Sequence, residues 1–394
     1  MRKRLKTIAK KNQMCDNLSM KRLGIFGGTF NPVHNEHIAA ARAAVKELGL
    51  NKLIVMPAFM PPHKDLPAFG AGAKERMEML KAAFSGDDKI EIGDFEIKQG
   101  GKSYTYLTAE HYAGEGKLFF IVGGDMLSDF KTWKYPEKIL ALADLAAFNR
   151  EDFTADYAAE REYFLKTWGK SFIKLKYEGK EISSTEIRVY ASLGLDITRM
   201  TAKSVADYIA RKKIYSGGRC EEYIRTVLPE KRLVHTANVA VCALKKVKEL
   251  GLSYEKTLTA ALLHDCAKYK DKKNYKDFVL PEGVPEPVEH AFLGAYLAQK
   301  EAGINDGEVL DAIRWHTSGR PGMSTLSKLI FVADMVEKGR DYEGVERLRE
   351  LYNGDFELCF KECLKEEVLH LINKKSPIYA ETLKAYDYYI KGGK

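Results

Sequence analysis

The strongest constraint on the fold is a rhythm. From Arg22 to Tyr215, short apolar runs alternate with longer stretches in which apolar residues recur every three or four positions. The runs LGIF (23–26), LIVM (53–56), KIEIGDFEI (89–97), LFFIV (118–122), DLAAF (144–148) and FIKLKY (172–177) are predicted strands. Stretches such as EHIAAARAAVKEL (36–48) and AKERMEMLKAAF (73–84) are predicted helices. Repeated strand–helix–strand units imply a doubly wound parallel α/β sheet, whose ligands gather at the carboxyl ends of its strands. The proline-rich loop MPAFMPPHKDLPAFG (56–70) reads as a binding loop.

The rhythm changes at SGGRC (216–220), where glycines separate two patterns. From Cys220 onward the periodicity is helical throughout: 237–250, 255–268, 289–303, 306–316, 323–339, 355–374 and 380–392. The expected organisation is a basic, disordered extension over residues 1–19, an α/β domain over 20–215, a linker over 216–219 and an all-α domain over 220–394. A length of 394 residues suits two such domains.

The formal charge of +8 suggests nucleic-acid binding, but residues 1–22 carry eight basic side chains and one acid, or +7. The remainder is nearly neutral, so no nucleic-acid partner is expected. Residues 1–20 lack the apolar core of a signal peptide. No segment has the roughly 18 uninterrupted apolar residues that span a bilayer. The six cysteines include no CxxC pair, and Cys359 and Cys363, one turn apart, read as packed thiols. A cytoplasmic protein without a membrane partner is expected; its oligomeric state is left open.

GIFGGTFNPVHNEHI (24–38) joins the first strand to a helix starting near Asn35. Gly27 and Gly28 allow a ligand to approach the backbone, Thr29 and Phe30 follow in the turn, and the helix N-terminus offers amides to an anion. His34 and His37 fall on one face there, which favours a polyphosphate. A zinc peptidase would need histidines four apart around a glutamate. A second phosphate-type segment, ISSTEIR (182–188), places Ser184 or Thr185 to cap a helix and lets Arg188 converge on an anion.

GxFxPxHxxH followed by ISSTxIR resembles the nucleotidylyltransferase superfamily of HIGH-type enzymes, with its Rossmann-like fold. PAFMPPHK (57–64), SYTYLT (103–108), VGGDMLSDFKTWKYPEKIL (122–140) and VADYIARKKIY (205–215) narrow the resemblance to bacterial nicotinate mononucleotide adenylyltransferase. The resemblance implies transfer of the adenylyl group of ATP, with Mg²⁺, to nicotinate mononucleotide. The products would be deamido-NAD and pyrophosphate, as in NAD biosynthesis. It implies that His34, His37 and Thr29 hold the triphosphate, and that Ser184, Thr185 and Arg188 hold its β and γ phosphates. Asp125 and Trp133 would belong to the nucleotide pocket, with Trp133 equally readable as a packed core aromatic. Thr105 and Lys64 would lie near the nicotinate. Nicotinamide mononucleotide is the alternative acceptor. The resembled family has glycine before the second histidine, whereas Glu36 stands here, with a side chain able to crowd the triphosphate or set negative charge beside it.

The helical half has its own histidines: His235, His264 beside Asp265, His290 and His316, with Asp334 following. An imidazole and carboxylate side by side in the apolar run LLHDCAK are costly to bury unless paired or metal-bound. The set exceeds one tetrahedral zinc site and suits two octahedral ions such as iron or manganese, with cobalt as a further candidate. Asp265 would bridge them, His235, His264 and Asp334 serving one ion and His290 and His316 the other. Lys268 and Arg320 would neutralise a phosphate chain. The order H…HD…H…H…D resembles the HD phosphohydrolase superfamily. HTSGRPGMSTLSKLIFVADMVE and DYEGVERLRE resemble the bacterial HD-type symmetrical dinucleoside tetraphosphatase, implying cleavage of diadenosine tetraphosphate to two ADP. Another nucleotide phosphohydrolase, or a non-catalytic nucleotide sensor, is the alternative.

Overall fold

A computed structural model describes residues 20–60, 70–150, 156–180 and 182–392. Its first half contains one sheet of six parallel strands: β1 (Arg22–Gly28), β2 (Lys52–Pro57), β3 (Ile90–Ile92), β4 (Lys117–Gly123), β5 (Ala143–Arg150) and β6 (Ile173–Gly179). The order is β3-β2-β1-β4-β5-β6, so its direction of growth reverses between β1 and β4. At such a reversal the carboxyl ends of the two strands open a crevice, here beyond Gly28 and Gly123.

The central strands are apolar on both faces because helices cover both. Leu23, Ile25 and Phe26 of β1 and Leu118 to Ile121 of β4 are all buried. Gly24 allows close packing within β1, since a Cβ there would lie 2.5 Å from Leu50 Cδ1 and 2.7 Å from Leu53 Cδ1. The helices of this half are α1 (Asn35–Glu47), α2 (Ala73–Ala83), α3 (Phe95–Gln99), α4 (Thr105–Tyr112), α5 (Asp125–Asp129), α6 (Pro136–Leu142), α7 (Tyr157–Trp168), α8 (Ser184–Ser192) and α9 (Lys203–Lys212). α1 turns Ile38, Ala40, Ala41 and Ala44 inward.

The predicted strand over 89–97 is corrected. Only Ile90–Ile92 pairs, and Phe95–Gln99 is the short helix α3. The helical turn buries Glu96, whose carboxylate accepts from Thr108 Oγ1 at 2.7 Å, while the Phe95 ring stacks on His111 at 4.0 Å. Alternating FEI therefore reflects a buried acid with a partner rather than a half-buried strand. The predicted binding loop falls mostly within 61–69, so Lys64 lies outside the described residues.

The second half is helical throughout its described residues: α10 (Arg219–Val227), α11 (Glu230–Lys246), α12 (Tyr254–Leu263), α13 (Glu286–Lys300), α14 (Gly307–Trp315), α15 (Thr325–Val336), α16 (Val345–Gly354), α17 (Phe356–Asn373) and α18 (Ala380–Ile390), with one 3₁₀ turn at Lys272–Asn274. α11 packs on α12 and α15, and α14 packs on α12, α13 and α15. Cys359 and Cys363 are buried on α17 with their sulfurs 4.0 Å apart. The chain divides into two compact units, the first reaching Ile187 and including Ile197–Ile214, the second comprising Arg188–Asp196 and Tyr215–Lys394. Within the second unit, Tyr190 donates to Asn238 Oδ1 at 2.6 Å. No helix among the described residues is long and apolar enough to cross a membrane.

Gly116 sets the entry to β4. Its φ is +147°, and a Cβ would lie 2.3 Å from the Lys21 carbonyl oxygen, which also accepts the Lys117 amide. Gly116→Ala is expected to cost about 1–3 kcal/mol, read as a lower urea midpoint at unchanged slope.

Candidate active sites

The turn after β1 is built to hold two imidazoles at a helix N-terminus. His34 is the N-cap of α1 and His37 is its third residue. The His37 amide donates to His34 Nδ1 at 3.4 Å and the His34 amide donates to His37 Nδ1 at 3.3 Å. Each ring thus satisfies an amide that the helix leaves without an internal partner. The rings stack, with centroids 3.6 Å apart, and the Phe30 ring abuts His37 edge-on at 5.0 Å. Since both Nδ1 atoms accept, each neutral ring carries its proton on Nε2 as a donor. Two such donors suit a phosphate oxygen, whereas the Asn35 amide, at the helix start expected to face an anion, donates to Met200 O at 3.0 Å.

Several bonds fasten this turn. Thr201 Oγ1 donates to Val33 O at 2.8 Å, Asn35 Nδ2 donates to Arg199 O at 3.0 Å, and Asn31 Oδ1 accepts the Ala71 amide at 3.0 Å. The principal brace is Arg76 on α2, only 1% exposed. Its guanidinium donates to Thr29 O at 2.8 Å, Ala58 O at 2.6 Å and Phe59 O at 3.3 Å. Sequence reading missed Arg76, because one arginine in a charged helix resembles a solvated face. Among the described residues, a Cβ at Gly27 would meet no atom within 4 Å apart from its chain neighbours. At Gly28 a Cβ would lie 2.8 Å from Phe30 Cζ.

The ISSTEIR segment is shifted by one residue from its expected cap. The Glu186 amide donates to Ser183 Oγ at 3.1 Å, so Ser183 supplies the capping bond, and α8 begins at Ser184. The Ser184 hydroxyl instead donates to Pro32 O at 2.9 Å, tying α8 to the histidine turn. Thr185 follows on the same helical turn. Arg188 groups with the second unit, whereas Ser184 and Thr185 group with the first.

Asp125 opens α5 just beyond β4, at the strand-order reversal, and Thr105 opens α4. Trp133 packs against the first unit's core, 5.2 Å from the Phe130 ring. Glu36 turns toward the end of β6. Its Oε2 accepts from Tyr177 Oη at 2.5 Å and from the Lys180 amide at 2.7 Å.

In the second unit, four helices and a turn converge on Asp265, which is 2% exposed. His264 and His316 are the C-cap residues of α12 and α14. Their Nδ1 atoms lie 2.7 Å from Ala261 O and 2.8 Å from Ile313 O. A carbonyl can only accept, so Nδ1 carries the proton and Nε2 presents its lone pair inward. His235, on α11, reaches the same state by donating Nδ1–H to Glu337 Oε1 at 3.1 Å. Asp265 Oδ2 lies 3.6 Å from His264 Nε2 and 3.9 Å from His235 Nε2, while Oδ1 lies 3.2 Å from His290 Nε2 and 3.5 Å from His316 Nε2. Asp334 Oδ1 approaches His235 Nε2 at 3.0 Å.

His235, His264 and Asp334 offer ligand atoms within 4.8 Å of one another, as do His264, Asp265 and His316. Among the described residues, the buried atoms His235 Nε2, His264 Nε2 and Asp265 Oδ1 have no hydrogen-bond partner. Buried lone pairs aimed at a common point fit divalent cations. Lys268 joins them, its Nζ 3.2 Å from His290 Nε2 and 3.8 Å from Asp265 Oδ1. Arg320 is committed elsewhere, to Asp311 Oδ2 at 2.7 Å and against the Trp315 ring. Two arginines missed in the sequence touch the acids instead: Arg232 donates to Asp265 Oδ2 at 2.9 Å, and Arg340 pairs with Asp334. Arg232, one turn before His235, and Glu337, one turn after Asp334, were legible only as helical neighbours.

The charges follow from these contacts. Burial lowers the His264 pKa to about 4 and also lowers that of His290. Burial opposes a proton on His235 too, but the adjoining carboxylates of Asp334 and Glu337 outweigh it and raise the pKa. Burial works to raise Asp265, but the surrounding histidines hold it well below the ordinary carboxylate range.

Comparison with known proteins accords with these two geometries. A family model described as cytidylyltransferase-like matches residues 25–189, and one described as HD domain matches residues 232–339. A Bacillus subtilis (strain 168) protein described as a symmetrical bis(5'-nucleosyl)-tetraphosphatase is 36% identical over 176 residues, covering 43% of this chain and 95% of its own. A Clostridium botulinum (strain Alaska E43 / Type E3) protein described as a probable nicotinate-nucleotide adenylyltransferase is 43% identical over 171 residues, covering 43% of this chain and 85% of its own. A Clostridium acetobutylicum protein with the same description is 38% identical over 200 residues, covering 50% of this chain and 100% of its own.

The raised His235 pKa gives metal uptake a definite sign. A proton on His235 competes with a cation, so affinity rises as pH rises. For the metal-free chain, affinity for Mn²⁺ is expected to increase about tenfold per pH unit below that pKa and to level off above it. Chelator-competition titrations should show the slope in the parent and a flatter line in His235→Gln.

Proposed function

This chain belongs to the cytidylyltransferase-like family in residues 25–189 and to the HD-domain family in residues 232–339, and from that premise we propose a bifunctional enzyme of nucleotide metabolism. The first unit transfers the adenylyl group of ATP to nicotinate mononucleotide. The second hydrolyses dinucleoside tetraphosphates symmetrically, diadenosine tetraphosphate giving two ADP.

The stacked, mutually capped pair His34 and His37 carries the first assignment. In this reading the mononucleotide phosphate attacks the α-phosphorus of ATP and pyrophosphate leaves, a displacement that needs alignment and charge neutralisation. The Nε2 donors hold the triphosphate with Thr29, the Gly27–Gly28 turn lets it approach, and Thr185 with the backbone at Ser184 holds its outer phosphates. Mg²⁺ enters with ATP. Asp125 and Thr105 contact the nucleotide and acceptor ends. Trp133 contributes as a wall of the pocket.

Buried lone pairs around Asp265 carry the second. Divalent ions held by His235, His264, Asp265, His290, His316 and Asp334 would supply Lewis acidity, making water a nucleophile near neutral pH and offsetting phosphate charge. The fixed tautomers orient the ligands, Lys268 pairs with a phosphate oxygen, and burial keeps His264 unprotonated at working pH. Iron and manganese suit this mixed nitrogen and oxygen set.

Crossed substitutions test the division. His34→Ala should lower adenylyl transfer by about 10²-fold or more while leaving tetraphosphate hydrolysis intact, and Asp265→Ala should do the reverse. Pyrophosphate release with nicotinate and nicotinamide mononucleotides side by side should favour the nicotinate. Chromatography of diadenosine tetraphosphate digests should show ADP alone. Bound metal without ADP formation would sink the hydrolase assignment. Arg76→Ala leaves three carbonyl oxygens without their donor, at an expected cost of about 2–4 kcal/mol and with adenylyl transfer weakened more than hydrolysis, measured by urea unfolding and paired assays.

A further inference from the structure

Glu36 stands between two histidines assigned to phosphate, where a free carboxylate would repel the substrate, yet its position in the fold is specific. We propose that Glu36 is a positioning residue, a strut that fixes the exit of β6 against the N-terminus of α1 and thereby sets the distance between the two halves of the triphosphate cradle. The inference rests on the adenylyl-transfer reading of this site.

Three observations carry it. Glu36 Oε2 accepts both the Tyr177 hydroxyl, at 2.5 Å, and the Lys180 amide, at 2.7 Å, so the oxygen is bound from a side chain and from the backbone just after the strand. Gly179 admits this approach, since a Cβ there would lie 3.2 Å from the same oxygen. The chain then runs from Lys180 to Ser184, whose hydroxyl returns to Pro32 O at 2.9 Å, on the turn that precedes His34. Glu36 and Ser184 thus close a loop that joins the histidine turn to the start of α8 at two points. At the other end of α1, Glu47 accepts the amides of Lys176 at 2.6 Å and Tyr177 at 3.1 Å, so the helix grips β6 along its length. A glycine at position 36 would leave the exit of β6 without its acceptor. The negative charge is offset by two donors and directed at the sheet edge.

The test compares Glu36→Gly, Glu36→Gln and Tyr177→Phe in the full chain, by adenylyl-transfer kinetics and by hydrogen–deuterium exchange without nucleotide. Glu36→Gly should raise KM for ATP about fivefold or more with kcat within about twofold, and should speed exchange of the Lys180 amide at least tenfold. Glu36→Gln keeps an acceptor oxygen and should remain within about twofold of the parent; Tyr177→Phe should fall between. Unchanged or lower KM in Glu36→Gly, or Glu36→Gln as impaired as Glu36→Gly, overturns the strut. Retained protection of Lys180 in Glu36→Gly overturns it independently of catalysis. A parent chain that transfers no adenylyl group defeats the catalytic reading, and the exchange result still reports on the strut.

Discussion

Which end of a helix a histidine occupies decides where its proton sits, and both sites in this chain depend on that fact. At a helix N-terminus the unpaired backbone groups are amides, so His34 and His37 accept through Nδ1 and keep the proton on Nε2. At a helix C-terminus the unpaired groups are carbonyls, so His264 and His316 donate through Nδ1 and leave a lone pair on Nε2. One side chain therefore presents a donor at Nε2 in the first unit and a lone pair at Nε2 in the second. Neither outcome requires a charged imidazole, and each is fixed by a bond to the backbone.

Around the second set, electrostatics follow from burial. A carboxylate as enclosed as Asp265 is tolerable only when its charge is answered, and Arg232 and Lys268 answer it. Arg340 does the same for Asp334. The bonds are shared unequally: Oδ1 of Asp265 remains outside hydrogen-bonding geometry, as do the inward nitrogens of His235 and His264. A polar centre left incomplete inside an apolar bundle costs stability unless a ligand completes it. Ligand binding and the stability of this bundle are therefore linked.

The sheet was legible because strands covered on both faces read as continuous apolar runs, and β1, β2, β4 and β5 do so. The helical half was legible through its period. What escaped was whatever depends on one residue of register or on a partner distant in sequence. Phe95–Gln99 alternates like a strand, and only the bond from Thr108 to Glu96 reveals the helix. Ser183 and Ser184 are chemically alike, and the backbone alone decides which one caps α8. The histidine spacings brought the metal-type cluster into view, whereas Arg76, Arg232 and Arg340 looked like surface charge because their acceptors are backbone carbonyls or acids on other elements.

Glu36 shows how a departure from a motif can be read only in three dimensions. In sequence it is an acid beside a phosphate site, hence a liability. In space it belongs to β6, an edge strand whose outer backbone groups need covering. The two carboxylates of α1, Glu36 and Glu47, take the Lys180, Lys176 and Tyr177 amides and so cover that edge from one helix. Because the same helix begins with His34 and His37, bonds that secure the sheet margin also hold the imidazole pair in place. The position of the first site is thus set as much by the edge of the sheet as by the reversal at its centre.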